Sequence, residues 1–281
     1  MLYLNFSMPK MGNIQVSFNL TGRCNLSCTY CAARKEVEDL DYEDLSPEAI
    51  IKGYSKVREK HPEATLDLTC MGRGEPLLNW LGVLAIGGIR EKDTNTRLLA
   101  ITNGTFQVRN KVLELAKKEW ILAVSYDGVM NELERKGAGH KVVEETIREL
   151  MKISPTKTII KMTITPQSLP FLKESLIKLH DLGTKYVMLG PISPLGKYEG
   201  NHGLIEDSSK MSSLLENIVF AEEIGLKPLL SIQRACGLAT SGYYVMPDGN
   251  LSICYLKQIE PTQENRIKAQ EQGCLLYNLF K

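Results

Sequence analysis

Ile14-Gln-Val-Ser-Phe-Asn-Leu-Thr-Gly-Arg-Cys-Asn-Leu-Ser-Cys-Thr-Tyr-Cys31 is the stretch on which the reading of this chain turns. Its first half, Ile14 to Leu20, alternates apolar and polar residues as a strand does. Its second half places Cys24, Cys28 and Cys31 on one short loop, spaced C-x3-C-x2-C. Three thiolates so arranged can hold three irons of a [4Fe–4S] cube and leave the fourth without a protein ligand, open to a chelating cofactor. A structural zinc knuckle or an ordinary electron-transfer cluster is the plainer reading. Zinc sites usually pair C-x2-4-C with a second pair of ligands, and none lies nearby.

Working outward, short β-branched or apolar runs recur at Val16–Leu20, Thr65–Thr69, Arg97–Thr102, Ile121–Ser125, Thr158–Thr165 and Tyr186–Leu189. Helical periodicity fills the gaps. Ser46-Pro47-Glu48 opens one helix, with serine as N-cap and proline at the first helical position. Others cover roughly 77–92, 108–118, 140–151 and 168–182, the last ended by Gly183. Strand–helix alternation predicts parallel strands and an α/β fold. Six units fall short of the eight that close a barrel, so periodicity alone leaves the sheet either open or curled. Beyond 190 the pattern changes to a Gly- and Pro-rich loop, then a helix over about 208–223. Tyr243 to Cys254 reads as a β-hairpin turning at Pro247-Asp-Gly-Asn250. The predicted division is a core of residues 1–232 and a small C-terminal module of residues 233–281. That module is too short for a sizeable core of its own, so a metal or packing on the core should hold it.

Bulk properties narrow the function. The 281 residues carry 34 basic and 33 acidic side chains, a net charge of +1, with no long run of either sign. That balance argues against a nucleic-acid partner. No apolar run of about 18 residues predicts a membrane span. Seven cysteines without a secretion signal predict a reducing cytoplasm, where thiolates serve metals and catalysis.

The cysteine spacing, with the aromatic Tyr30 before the last cysteine, resembles the signature of the radical S-adenosylmethionine (SAM) superfamily. Met71-Gly-Arg-Gly-Glu-Pro-Leu-Leu78, at the end of the second strand, looks like that family's glycine–glutamate motif, in a variant lacking the usual adjacent glycines. The resemblance implies a curled (β/α)6 partial TIM barrel, a [4Fe–4S] cluster on Cys24, Cys28 and Cys31, and SAM on its open iron. It implies that the backbone at Gly72 and Gly74 and the Glu75 carboxylate meet SAM's amino group. Strand ends Ile101-Thr-Asn-Gly104 and Ser125-Tyr-Asp-Gly128 can simply be turns; the resemblance favours Asn103 and Ser125 as contacts to SAM's ribose and carboxylate region. Asp127 is either a turn residue or one that reaches the substrate. Lys161, Thr163 and Thr165 share one face of the fifth strand and are candidates to line the cavity.

Cys236, Cys254 and Cys274 form a second constellation. Cys236-x12-Gly249-x4-Cys254 resembles the opening of the SPASM and twitch extensions that carry auxiliary iron–sulfur clusters. The further cysteine pairs of a full SPASM extension are missing, which puts a two-cluster version out of reach. Three alternatives stand: a second [4Fe–4S] cluster, a thiol (Cys254 or Cys274) that donates hydrogen to a substrate radical, or inert burial. Cys70 reads as a small core residue. Tyr198, Glu199, Asn201 and His202, in the Gly-rich loop, are candidate substrate contacts.

The resemblance implies reductive cleavage of SAM to a 5′-deoxyadenosyl radical that abstracts hydrogen from a substrate, fed by a donor such as flavodoxin or ferredoxin. With little room before Cys24 for a peptide-binding domain, the expected substrate is a small molecule such as a sugar or aminocyclitol, dehydrogenated or epimerised. A ribosomal peptide, epimerised or crosslinked, is the alternative, and a nonenzymatic electron-transfer protein the second. The Gly72–Asn79 stretch is also similar to radical SAM RNA methylases, against which the near-neutral charge argues.

Overall fold

The computed structural model describes residues 13–31, 43–192, 207–231, 242–254 and 260–272. Strands β1 (Asn13–Asn19), β2 (Ser27–Cys28), β3 (Thr65–Met71), β4 (Thr96–Thr102), β5 (Ile121–Ser125), β6 (Arg135–Lys136), β7 (Thr158–Ile164), β8 (Tyr186–Pro191), β9 (Lys227–Leu230), β10 (Tyr243–Val245) and β11 (Leu251–Ser252) alternate with helices. These are α1 (Pro47–Lys60), α2 (Trp80–Lys92), α3 (Arg109–Lys117), α4 (Asn131–Glu134), α5 (His140–Ile153), α6 (Leu172–Asp181), α7 (Ser208–Glu223) and α8 (Gln263–Gln272).

All six strand–helix units are present: β1–α1, β3–α2, β4–α3, β5–α5, β7–α6 and β8–α7. The main sheet runs β11-β10-β1-β3-β4-β5-β7-β8-β9 and is parallel except for the β10–β11 hairpin. Local signals act as read: the Ser46 hydroxyl accepts from Ala49 N–H at 3.1 Å and starts α1. Asn79 caps α2 by accepting from Gly82 N–H at 3.0 Å, while its amide donates to the carbonyls of Leu20 and Leu45.

The sheet's two faces differ in chemistry. One face sends Val16, Phe18, Leu68, Cys70, Leu122, Val124, Ile160, Met162, Val187 and Leu189 into the core shared with the helices. Since side chains alternate along a strand, the other face carries Ser17, Thr69, Ser125, Lys161, Thr163 and Gly190. Helices on one face and a polar interior on the other make a partial barrel.

Two elements went unread in the sequence. β9 extends the sheet beyond β8; Pro228 and Lys227 disguise it, and proline is tolerated because the strand is at the edge. β2 and β6 form a separate two-residue antiparallel ladder, Ser27↔Lys136 and Cys28↔Arg135. The hairpin turns where expected, and β10 pairs in parallel with β1, Val16↔Tyr243 to Phe18↔Val245. Lys52 and Lys56 of α1 clamp its turn, Lys56 Nζ donating to Asn250 Oδ1 at 2.7 Å. Among the described residues no helix is long and apolar enough to cross a membrane.

Candidate functional site

The cysteine loop springs from the C-terminal end of β1, where parallel α/β folds place their ligands. It is stitched down on both sides. On one side Leu20 N–H donates to Met71 O (2.9 Å), Gly74 N–H to Thr21 O (3.0 Å) and Glu75 N–H to Arg23 O (2.8 Å). On the other, the β2–β6 ladder pairs Cys28 with Arg135, and Thr29 N–H donates to Glu134 O at 2.8 Å. Thr21 and Arg23 are further held by Asp44.

The glycine–glutamate segment is shaped by that loop. A Cβ on Gly74 would lie 2.0 Å from Arg23 O, and one on Gly72 would lie 2.9 Å from Thr21 O. Only glycine permits backbones to come this close. Glu75 is buried, and its carboxylate accepts from Leu77 N–H (3.1 Å), Thr102 Oγ (2.8 Å) and Asn103 N–H (2.7 Å). Burial raises its pKa to about 7, against the opposing pull of those hydrogen bonds and of Arg135. A carboxylate has about four acceptor sites, so three protein donors leave Glu75 one for a ligand.

The other predicted contacts are also engaged by the protein. The Asn103 amide donates to Asn25 Oδ1 at 2.8 Å, and its Oδ1 accepts from Thr105. Asp127 is buried, accepting from the Tyr30 hydroxyl and, at 2.9 Å, from Thr163 N–H. Tyr30 in turn accepts from Arg135 Nη1 at 2.8 Å. Burial works against the Arg135 charge, but Tyr30 and Asp127 outweigh it and keep it protonated. Glu134 joins Thr29 to Thr165, accepting from both hydroxyls. Ser125 differs: its half-buried hydroxyl faces the interior with no partner among the described residues.

Arg135, Glu134, Thr29 and Asn25 were therefore missed as site residues. Glu134 and Arg135 lie in a polar run without periodicity, and only their place six and seven residues after Gly128, which closes the Ser125-Tyr-Asp-Gly128 strand end, could have marked them.

The three thiols fit a cluster. Cys31 N–H donates to Cys28 O at 3.4 Å, closing the loop, and Cys24, Cys28 and Cys31 lie within electrostatic reach of one another. Burial raises the Cys24 thiol and pushes Cys28 up to about 11, with Arg135 pulling both down. Among the described residues no three His, Cys, Asp or Glu side chains converge on one ion. A [4Fe–4S] cube takes one thiolate per iron, and three thiols on one loop can supply three of them.

Cys254 is half-buried beyond β11, its N–H donating to Ser252 Oγ at 3.0 Å. Ser252 pairs with Tyr244, and Val16 with Tyr243, so Cys254 lies toward the N-terminal end of β1. At ~3.3 Å per residue that is roughly 16 Å along the strand from the start of the cysteine loop. Cys70 is buried in the helix-facing core, as read, and burial raises its thiol. Cys236, Cys274, Tyr198, Glu199, Asn201 and His202 lie outside the described residues.

Comparison with known proteins gives concordant results. The family model described as the radical SAM superfamily matches residues 18–168. The antilisterial bacteriocin subtilosin biosynthesis protein AlbA of Bacillus subtilis (strain 168) is 24% identical over 267 residues. The match covers 89% of this chain and 56% of AlbA, so the chain spans about half the length of that relative. Native anSMEcpe, solved with bound AdoMet and the Cp18Cys peptide, superposes with a TM-score of 0.65 at 17% identity, covering 91% of this chain and 80% of that one. Streptococcus suis SuiB, solved bound to its precursor peptide SuiA, gives a TM-score of 0.64 at 14% identity, covering 87% of this chain and 60% of SuiB. These likenesses show a shared fold.

Proposed function

The chain belongs to the radical SAM superfamily, and from that premise we propose that it modifies a peptide made on the ribosome. A [4Fe–4S] cluster and SAM are the family's cofactors; when bound, they supply a 5′-deoxyadenosyl radical able to take a hydrogen atom from an unactivated carbon. The chain's own residues seat that machinery. Cys24, Cys28 and Cys31 hold the cluster. The contacts from Gly74 and Glu75 on one side and Glu134 and Arg135 on the other fix the loop over the barrel mouth. Ser125 and the remaining acceptor site of Glu75 are the groups we assign to SAM.

The observation that favours a peptide is the match to AlbA over nearly the whole described chain, with SuiB bound to a precursor peptide among the structures of the same fold. The small-molecule substrate expected from the sequence rested on the room before Cys24, an argument that this relationship outweighs. A reducing cytoplasm suits the thiolates. For the C-terminal cysteines we infer an auxiliary cluster of the twitch or SPASM-like kind. The separation of Cys254 from the cysteine loop supports that over direct hydrogen donation beside SAM.

The test is to incubate anaerobically reconstituted protein, SAM and reductant with a precursor peptide encoded beside its gene. A mass change confined to the peptide, with 5′-deoxyadenosine formed, is expected. Deuterium uptake from solvent without loss of hydrogen identifies epimerisation, and loss of hydrogen identifies crosslinking. Turnover of an aminocyclitol with no change in the peptide would reverse the proposal.

A further inference from the structure

The interior face of β7 holds a cation that the site described above does not use. Ile160, Met162 and Ile164 enter the helix layer, so Lys161, Thr163 and Thr165 face inward. Lys161 stands in register with Ser125 of β5 and Met188 of β8. The two residues above it are committed to the cysteine loop: Thr163 N–H holds Asp127, and the Thr165 hydroxyl holds Glu134. Lys161 therefore sits one pleat deeper, ~7 Å below Thr163 along the strand.

Its ammonium has no hydrogen-bond or ion-pair partner among the described residues. Asp127 accepts from Thr163 and Tyr30 and Glu134 from Thr29 and Thr165, and neither forms an ion pair with Lys161. Arg135, the other cation in reach, repels it. Burial first, and Arg135 second, lower its pKa, with Asp127 acting the other way. The side chain is half-buried and lines the interior face of the sheet, and a cation without a counter-ion inside a cleft is a candidate ligand group.

We propose that Lys161 is the carboxylate-binding subsite of the chamber, taking an acidic side chain of the peptide next to the residue that loses hydrogen. This rests on the peptide reading given above. The substrate, and not SAM, is the favoured source of the carboxylate. The amino-acid end of SAM, when bound, would be held at the cysteine loop, where Arg135, paired with Cys28 in the β2–β6 ladder, already supplies positive charge. Lys161 lies a layer below, beside Ser125, whose hydroxyl we assign to the ribose of SAM, a part of that cofactor that carries no carboxylate.

The test uses the full reconstituted chain and follows carbamylation of Lys161 by cyanate through peptide mass mapping. The probes are N-acetylglutamic acid amide, its glutamine counterpart, and SAM. A charge-assisted contact predicts that saturating glutamate probe slows Lys161 modification by about tenfold or more. The glutamine probe and SAM should leave the rate unchanged. Slowing by SAM would give Lys161 to the cofactor and overturn the proposal, as would no slowing by the glutamate probe. The Lys161→Met protein should melt at the same temperature or higher, because the half-buried ammonium gives up no partner in the protein. A lower melting temperature would mean that the ammonium has a partner in the protein, and would also overturn it. Failure of the peptide reading shows separately: protection by the glutamate probe with no change in any precursor peptide would keep the subsite and discard the peptide.

Discussion

At the scale of single residues, the glycine–glutamate motif does two jobs, and only one was legible. Gly72, Gly74 and Glu75 stood out because such residues close a parallel strand where ligands bind. That Gly74 must be glycine because Arg23 O lies where its Cβ would go is a contact across 51 positions that no local pattern encodes. Gly74→Ala should therefore lower stability by roughly 1–3 kcal/mol through overpacking and reduce iron incorporation. Chemical denaturation and iron analysis check this; a Gly74→Ala protein with full iron and unchanged stability would contradict it. Glu75 gives a pH signature. Its pKa is raised from 4.5 to about 7, so between those values the folded chain holds a proton that the unfolded chain has lost. Its contribution to stability is fully present at low pH and falls as pH rises through that window. Glu75→Gln should flatten this part of the stability–pH curve, and an unaltered slope would show that Glu75 is not the group responsible.

At the scale of elements, strands with clear alternation and helices with caps were readable, because burial on one face imposes a period and orphan N–H groups require partners. Ser46 at α1 and the β10–β11 turn are examples. The β2–β6 ladder was not, since two residues cannot carry a period. Yet that ladder, with Tyr30 between Asp127 and Arg135, sets the height of the cysteine loop above the barrel. Tyr30→Phe removes a donor to Asp127 and an acceptor for Arg135 together. Both partners are buried, so the expected loss is about 1–3 kcal/mol, with faster release of iron to a chelator from the reconstituted protein. Identical chelation rates in wild type and Tyr30→Phe would show that the clamp does not hold the loop.

At the scale of the whole molecule, six strand–helix units were legible from the order of the elements, while the curl of the sheet into a partial barrel came only from the family resemblance. The place of the hairpin was not legible: β10 joins the sheet beside β1, so the C-terminal cysteine-bearing segment begins as a direct extension of the barrel. That arrangement sets Cys254 toward one end of β1 and Cys24, Cys28 and Cys31 beyond the other. If each set holds a cluster, wild type should carry about eight irons, and replacing the first three cysteines by alanine should leave about half. A triple variant that is folded but iron-free would remove the auxiliary cluster from the account. The central claim is that the loop of Cys24, Cys28 and Cys31 is the seat of SAM chemistry. Its most direct test is 5′-deoxyadenosine formation from SAM and dithionite under anaerobic conditions. Wild type should form it and the folded triple-alanine variant should form none; equal formation by both would contradict the account.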